Sequence, residues 1–540
     1  MILDGTSSLS EQLRLIVVIP IGVGSDLNQL PKSMLLTNGR QHKLIELDDQ
    51  LSHNARVLQD PDRVVLFDNA KPFLRLLLAQ KIDIAQPLCL KTLQLIVNPK
   101  ESVKYLPTAR TTEEAVQLAK KAIESLEALF AIVEKQYRQL SRLENRVLRS
   151  FASMEHHGLY VDRMAWQGLI QDAKQKMLQA REVALQNLAS GQLVDLFGNC
   201  TVNLDSGKEV KDALEKVVGH SLYDTHQSTL SRLAHPAANA ILQYREVAKL
   251  VQTYGDNFLC HIDVATSRIH ATFEPIGAST GRVACHSPNL QNLPSGEVFH
   301  RCLTAPRNKS LITADYAACE LKILASLSQD PVFLDAFARD VDLHSEVATK
   351  MFRVPVDKHQ NAHLRQRAKA INFGLMYGMG SKSLARSLQI SEMQAEELFQ
   401  QYFKTYPRVK RYLDACVEKT MENGYAETVL GRRLVFDKAT LENKEALGEI
   451  SRLAKNMPIQ GTGAEIAKLA LVRIHRRLTE EFKEAFLVNM IHDELVVECQ
   501  NQDASEIALL VQKEMEDAQL SLIPNVKPKA DVHVGKYWQH

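Results

Sequence analysis

At 540 residues, with 45% hydrophobic and 24% charged side chains, the chain is long enough for several domains, each with its own core. This composition excludes a disordered or collagen-like chain. The formal net charge is only +1, so any nucleic-acid partner has to be held by local basic surfaces and not by a global positive field.

In chain order, residues 1 to about 100 alternate short Val/Ile/Leu runs (Arg14 to Val23, Val64 to Phe67) with helical stretches such as Ala70 to Gln80, the pattern of a small α/β domain. The apolar stretch Leu13 to Val23 is too short to span a bilayer and lacks a basic leader, so neither an anchor nor a signal peptide is expected. A long helical stretch, Thr112 to Ala152, follows. From about 153 to 260 the chain is mostly helical and rich in Lys, Arg, Gln and Leu, with Ala237 to Tyr254 as a helix, and reads as an arm. His270 to Pro294 has a connecting pattern of Gly, Ser, Pro and Asn. Ser310 to Asp315 is a strand running into a helix from about Ala317, and residues 330 to 480 are largely helical. Leu487 to Glu498 and Lys529 to Val534 supply the last strands. Eight scattered cysteines (89, 200, 260, 285, 302, 319, 416 and 499), with no C-x-x-C pair and no Cys/His metal spacing, suggest a reducing compartment. An intracellular, cytoplasmic protein without a membrane partner is expected.

Three segments carry chemistry. In Leu487-Val-Asn-Met-Ile-His-Asp-Glu-Leu-Val-Val-Glu498, two apolar strands flank His492-Asp493-Glu494. Carboxylates left in a core cost several kcal/mol unless paired or bound to a cation, so the trio reads as a hairpin turn, either plainly solvated or facing a cleft. In Ser310-Leu-Ile-Thr-Ala-Asp315, an apolar strand ends on Asp315, followed by Leu321, Leu324 and Leu327 at helical core spacing. Asp315 is either a helix N-cap or one of a converging pair. If Asp315 and Asp493 converge, they can hold two Mg²⁺ ions about 3.5 to 4 Å apart, the arrangement that serves phosphoryl transfer. Finally, Arg365, Lys369, Phe373 and Tyr377 recur every four residues and form one stripe on a helix, which Tyr377-Gly-Met-Gly then closes. The stripe is either a solvated basic face merging into a core, or two cations for a triphosphate and two aromatics for a sugar and base.

Taken together, these segments resemble family A, Klenow-type DNA polymerases over roughly residues 145 to 540, in the family's order. The resemblance implies an α+β multidomain, right-hand polymerase fold with a palm antiparallel sheet and helical fingers and thumb, preceded by a small α/β, RNase H-like exonuclease-type domain. The implied divisions are residues 1–140 for that domain, 141–265 for the thumb and its connecting helices, 266–330 for the first part of the palm, 331–440 for the fingers and 441–540 for the second part of the palm. It implies template-directed addition of deoxynucleotides to a primer 3′-hydroxyl with two Mg²⁺ ions, Mn²⁺ being a substitute. Primer-template DNA and deoxynucleoside triphosphates would be the partners of a monomer, with any processivity factor unknown.

By the same resemblance, Asp315 and Asp493 are metal ligands assisted by the Tyr316 carbonyl, with Glu494 supporting the site. Glu320 is the gate against a ribose 2′-hydroxyl. His344, Arg365 and Lys369 contact the triphosphate, Lys369 also protonating the leaving pyrophosphate. Phe373 and Tyr377 bound the sugar and base pocket, Phe373 implying discrimination against dideoxynucleotides. Arg282, Asn289, Gln291 and Asn292, with Arg452, Asn456 and Gln460, match segments that touch the minor groove near the new pair, where donors check geometry without reading sequence. His492 is placed near the primer terminus.

Two departures stand out. The first motif reads Ala317-Ala-Cys-Glu-Leu-Lys where the family usually has Ser-Gln-Ile-Glu-Leu-Arg. The early strand Val17-Val-Ile-Pro-Ile-Gly-Val has no Asp-x-Glu, Pro72 stands where an aspartate is expected, and Lys91 precedes Thr92 where another is expected. A degenerate, non-proofreading domain follows, and no sequence is left for a 5′ nuclease. The competing readings are a single-subunit RNA polymerase, against which Glu320 and the Phe373/Tyr377 pair argue, and a catalytically dead DNA-binding scaffold.

Overall fold

The computed structural model describes residues 14–21, 33–38, 40–46, 56–99, 109–189, 201–294, 296–339, 341–376 and 379–539. These form two compact units, one of Met1–His157, Thr272–His286 and Lys309–Val534, the other of Gly158–Ala271, Ser287–Asn308 and Gly535–His540.

The first unit begins with a five-stranded sheet of β1 (Leu15–Ile21), β2 (Ser33–Thr37), β3 (His42–Glu46), β4 (Val64–Phe67) and β5 (Pro87–Cys89), in the order β3-β2-β1-β4-β5. β1 pairs antiparallel with β2 and parallel with β4, and β4 is parallel to β5. β1 is apolar throughout because it is central and covered on both faces. Ile16 and Val18 enter a core with Leu74, Leu77 and Leu148, while Leu15, Val17 and Ile19 enter a second with Leu93, Leu118 and Leu126.

The helical stretch expected over 112–152 is two helices, Thr112–Gln136 and Arg138–His157. The chain leaves helical geometry at Tyr137, whose buried ring lies under the Arg433 guanidinium. The first helix covers one face of the sheet and the second reaches the other, through Leu148 and Ala152, which one straight helix cannot do. The second helix also acts as a strut. Its buried Glu155 accepts from the Phe273 amide at 2.8 Å and pairs with Lys71. Its fully buried Glu144 pairs with Lys468 at 2.5 Å and with Arg432.

In the second unit the helices Arg163–Ala189 and Pro236–Tyr254 pack together around Leu188, Leu214, Leu230 and Ile241. The second of these was expected over 237–254. It starts one residue earlier because Pro236 fits the first helical position, where no N–H is needed, and His235 caps it. Trp166 is buried, stacked on Phe258 at 4.4 Å, with its indole N–H donating to the Tyr254 carbonyl. The short strands β6 (Leu159–Tyr160) and β7 (Arg268–Ile269) pair antiparallel.

Back in the first unit, β8 (Thr272–Glu274) and β9 (Ala284–His286) form a hairpin, and a second sheet is built on β10 (Lys309–Tyr316). The helices Pro331–Ala338, Leu343–Phe352, Ala362–Met376, Ser381–Leu388, Glu392–Thr405 and Pro407–Asn423 follow, then the hairpin β11 (Tyr425–Glu427) and β12 (Arg433–Val435). The helix Leu447–Asn456 continues through a π-helical turn, Met457–Gly461, into Thr462–Glu481. β13 (Phe486–Ile491), β14 (Glu494–Gln500) and β15 (Ala530–Gly535) complete the sheet in the order β13-β14-β10-β15, with the helix Ala504–Leu522 packed on β10. Among the described residues no helix is long and apolar enough to cross a membrane.

Candidate active site

The apolar runs around 311–314 and 495–499 make β10 and β14 the buried centre of their sheet, and their register sets the site. Asp315 lies opposite Glu494, which on its other side lies opposite Ile491. The hairpin loop is therefore the two residues His492 and Asp493. Glu494, read from sequence as part of the turn, is instead the first residue of β14 and is 2% exposed. His492 has φ 55°, the left-handed geometry that two-residue hairpin loops need at their first position. Asp315 is not an N-cap: the helix Cys319–Ser328 starts after Ala318, three residues on. Both aspartates, one per strand end, thus stand one strand spacing apart in sequence-distant segments, at about 4.8 Å between neighbouring strands.

The hairpin tip borders a cleft of about 520 Å³, a size that suits a nucleotide. Of the residues singled out from sequence, Arg282, Tyr316, Glu320, His344, Arg365, Lys369, Gln460, His492 and Asp493 line it. Tyr316 is anchored by its hydroxyl, which donates to the Met515 carbonyl at 2.7 Å. Glu320 pairs with Arg282 at 2.5 Å; burial raises its carboxyl, the Arg282 charge opposing and Asp493 reinforcing that shift. Burial also lowers the His492 imidazole, as does Arg282.

On the far wall the helix Ala362–Met376 carries Arg365 and Lys369 one turn apart. Asp342 caps the neighbouring helix Leu343–Phe352 through the Ser345 amide and grips Arg365 in a fork, Nε to Oδ2 at 2.7 Å and NH2 to Oδ1 at 3.0 Å. Burial opposes ionisation of Asp342, but the Arg365 and Ser345 bonds win and hold it down to about 2. His344 is lowered to about 4, chiefly by burial and then by the Arg365 and Lys369 charges. Its Nδ1 lies 3.0 Å from the Asn372 amide nitrogen. The Phe373 side chain and Tyr377 lie outside the described residues.

Two glycines bring the remaining segments close. Gly281 has φ 83°, and a Cβ there would meet the Arg432 guanidinium at 2.4 Å. A Cβ on Gly461, in the π-helical turn, would meet Thr428 at 2.3 Å and the Thr280 carbonyl at 3.0 Å. Arg282 and Gln460 are thereby seated beside the β11–β12 hairpin. Asn456 is buried and Arg452 is exposed, paired with Glu449 at 3.6 Å; neither lines the cleft. Asn289, Gln291 and Asn292 belong to the second unit, where Asn289 caps the turn Leu290–Asn292.

Sequence reading missed Asp342 and Asn372 as partners of Arg365 and His344. Their signals were weak: Asp342 precedes His344 by two residues, and Asn372 sits on the 365–377 helix, but neither spacing reveals a contact between helices. Among the described residues no three His, Cys, Asp or Glu side chains are grouped to hold a metal. Magnesium is commonly held by one or two carboxylates plus substrate phosphates, so the hard-oxygen pair Asp315 and Asp493 fits it. In the N-terminal sheet, β1, β4 and β5 carry no carboxylate. Lys71, beside Pro72, pairs with buried Glu155, and Lys91 pairs with Glu274 at 3.2 Å.

Residues 171–540 match the profile of DNA polymerase family A. DNA polymerase I of Bacillus caldotenax is 31% identical over 466 residues, 82% of this chain and 52% of that protein. The Caldicellulosiruptor bescii DNA polymerase I is 35% identical over 322 residues, 58% of this chain and 37% of that one. The chain thus spans about half the length, or less, of these curated relatives. A solved structure, the POL domain of Pol1 from M. smegmatis in complex with DNA primer-template and dNTP, superposes with a TM-score of 0.84 at 26% identity, covering 97% of this chain and 95% of that one. The fold is therefore that of a polymerase domain, and with the family profile covering well over half of its residues, the chain belongs to DNA polymerase family A.

Proposed function

We propose that the chain is a template-directed DNA polymerase that adds deoxynucleotides to a primer 3′-hydroxyl and releases pyrophosphate. The observation that carries this reading is the pairing of Asp315 with the Asp493 hairpin at adjoining strand ends, beside a cleft walled by Arg365, Lys369 and His344. Asp315 and Asp493, with the Tyr316 carbonyl, hold two Mg²⁺ ions, for which Mn²⁺ substitutes. When bound, the metals acidify the primer hydroxyl and neutralise the triphosphate. Glu494, paired with Asp315 across the sheet, keeps the two strand ends in register.

Arg365 gives two of its five N–H donors to Asp342, which leaves the rest oriented for phosphate oxygens. His344, neutral at working pH, binds phosphate as a hydrogen-bond donor, and Lys369 gives the proton to the departing pyrophosphate. Glu320, braced by Arg282, blocks a ribose 2′-hydroxyl. Phe373 and Tyr377 bound the base. Arg282, Asn289, Gln291, Asn292, Arg452, Asn456 and Gln460 touch the primer-template minor groove, and His492 the primer end.

Residues 141–265 act as a thumb on duplex phosphates, 331–440 as fingers that close on a matched nucleotide, and 266–330 with 441–540 as the palm. Residues 1–140 are a degenerate 3′–5′ exonuclease domain without proofreading, supported by carboxylate-free strands and by lysines held in ion pairs at the expected positions. The protein works as a monomer inside the cell.

The test is extension of a labelled primer with deoxynucleotides, with ribonucleotides and with none, alongside Asp493→Ala. Extension by deoxynucleotides alone, lost in the variant and without shortening when nucleotides are omitted, is the expected result. No extension by the unaltered protein would leave a DNA-binding scaffold as the reading, and shortening of the primer would restore a nuclease to the N-terminal domain.

A further inference from the structure

A second cleft, of about 950 Å³, opens in the N-terminal part of the first unit, where β1, β4 and β5 begin. It shares no lining residue with the cleft at Asp493, and it lies away from Asp68, which follows the other end of β4. Its walls carry four arginines, Arg14, Arg138, Arg142 and Arg146, against two carboxylates, Asp62 and Glu134. Those carboxylates are already engaged, Asp62 with Arg14 at 3.7 Å and Glu134 with Arg138 at 3.1 Å. Arg142 and Arg146 are exposed and have no ion-pair or hydrogen-bond partner among the described residues.

Arg138, Arg142 and Arg146 fall every four residues along the helix Arg138–His157, so their stems follow one line about 6 Å apart. Beside that line is a half-buried aromatic, Phe130, on a floor that includes Leu88, Leu93 and Val133. A row of cations bordering an aromatic face is the chemistry that holds a phosphodiester strand while its bases stack, irrespective of sequence. An acidic peptide would use the arginines but not the ring. From this geometry we infer that the cleft is a docking groove for single-stranded nucleic acid, separate from the polymerase site.

The test is fluorescence anisotropy of a labelled oligo(dT), with the full chain first saturated by an unlabelled primer-template hairpin to fill the polymerase cleft. Binding should persist under saturation. Arg142→Ala/Arg146→Ala should weaken it roughly tenfold and reduce the slope of log affinity against log salt by about 1.4, two phosphate contacts on a single strand. Arg142→Lys/Arg146→Lys should restore most of the loss, while the melting temperature and hairpin extension stay unchanged. Unaltered affinity in the alanine variant, complete displacement by the hairpin, or equal competition by polyglutamate would each overturn the groove. Failure of the polymerase reading is separate, since neither protein would then extend the hairpin.

Discussion

The first unit contains two sheets that differ in what stands at their strand ends. In the sheet built on β10, apolar strands run out onto Asp315 and the His492-Asp493 loop, and three-strand register brings the carboxylates to one edge. In the N-terminal sheet the strands are as apolar, but the neighbouring positions hold Pro72, Lys71 and Lys91, and the lysines are tied to Glu155 and Glu274. Burying a strand costs nothing chemically specific, whereas keeping uncompensated negative charge at its end is costly unless a cation uses it. A sheet that gives up its metal can therefore keep its core and replace its carboxylates, and the comparison separates stability from catalysis within one unit.

The sharpest way to break that comparison is to remove carboxylates from each sheet. Asp315→Ala or Asp493→Ala is expected to lower primer extension by roughly 10²–10³-fold or more, with primer-template affinity kept, by single-turnover kinetics and anisotropy. Asp68→Ala, at the end of β4, should change neither extension nor primer integrity. A rate loss from Asp68→Ala would mean that the N-terminal sheet still takes part in chemistry.

Lys369→Ala should cost about 10²-fold, mainly in kcat and with a smaller effect on KM if the lysine is the proton donor. An effect confined to KM would reduce it to a phosphate contact.

The strut joining both sheets offers a stability test. Glu144 is fully buried between Lys468 and Arg432. Burial pushes Glu465, in the same cluster, up to about 7, and burial draws Lys468 down to about 8. Glu144→Gln should destabilise the unit by about 3 kcal/mol in denaturant unfolding, since it strands buried cations. Lys468→Met added to it should recover part of the loss, and a purely additive double variant would show that the two charges are not coupled.

The smallest effect is a pH dependence at the cleft wall. The folded His344 value of about 4 lies below the ordinary 6.5, so the folded state disfavours protonation. Its contribution to stability is complete above about pH 6.5 and is lost as pH falls towards 4. Asp342, held near 2 against an ordinary 3.8, has the same sign in a lower window. Imidazole titration by NMR should place the His344 midpoint below 5, and His344→Gln should flatten the stability profile between pH 6.5 and 4. A midpoint near 6.5 would mean the ring is solvated and outside the pocket.

Much of this was legible from residues alone, where local rules suffice. Apolar runs located β1, β4, β10, β13 and β14, and the four-residue recurrence of Arg365 and Lys369 located their helix, because side-chain period and backbone geometry are coupled within a segment. Strand-end aspartates and the missing Asp-x-Glu were visible for the same reason. The tertiary structure decided the rest. Helical periodicity ran unbroken through Tyr137, yet the chain bends there because the two halves cover opposite faces of one sheet. The hairpin loop shortened to His492 and Asp493 because Glu494 must pair with both Asp315 and Ile491. Asp342 proved to be the clamp on Arg365, and Glu144 the buried anion between Lys468 and Arg432. Such pairings join residues far apart in the chain. They are settled only when packing removes water and forces each buried charge to find its partner.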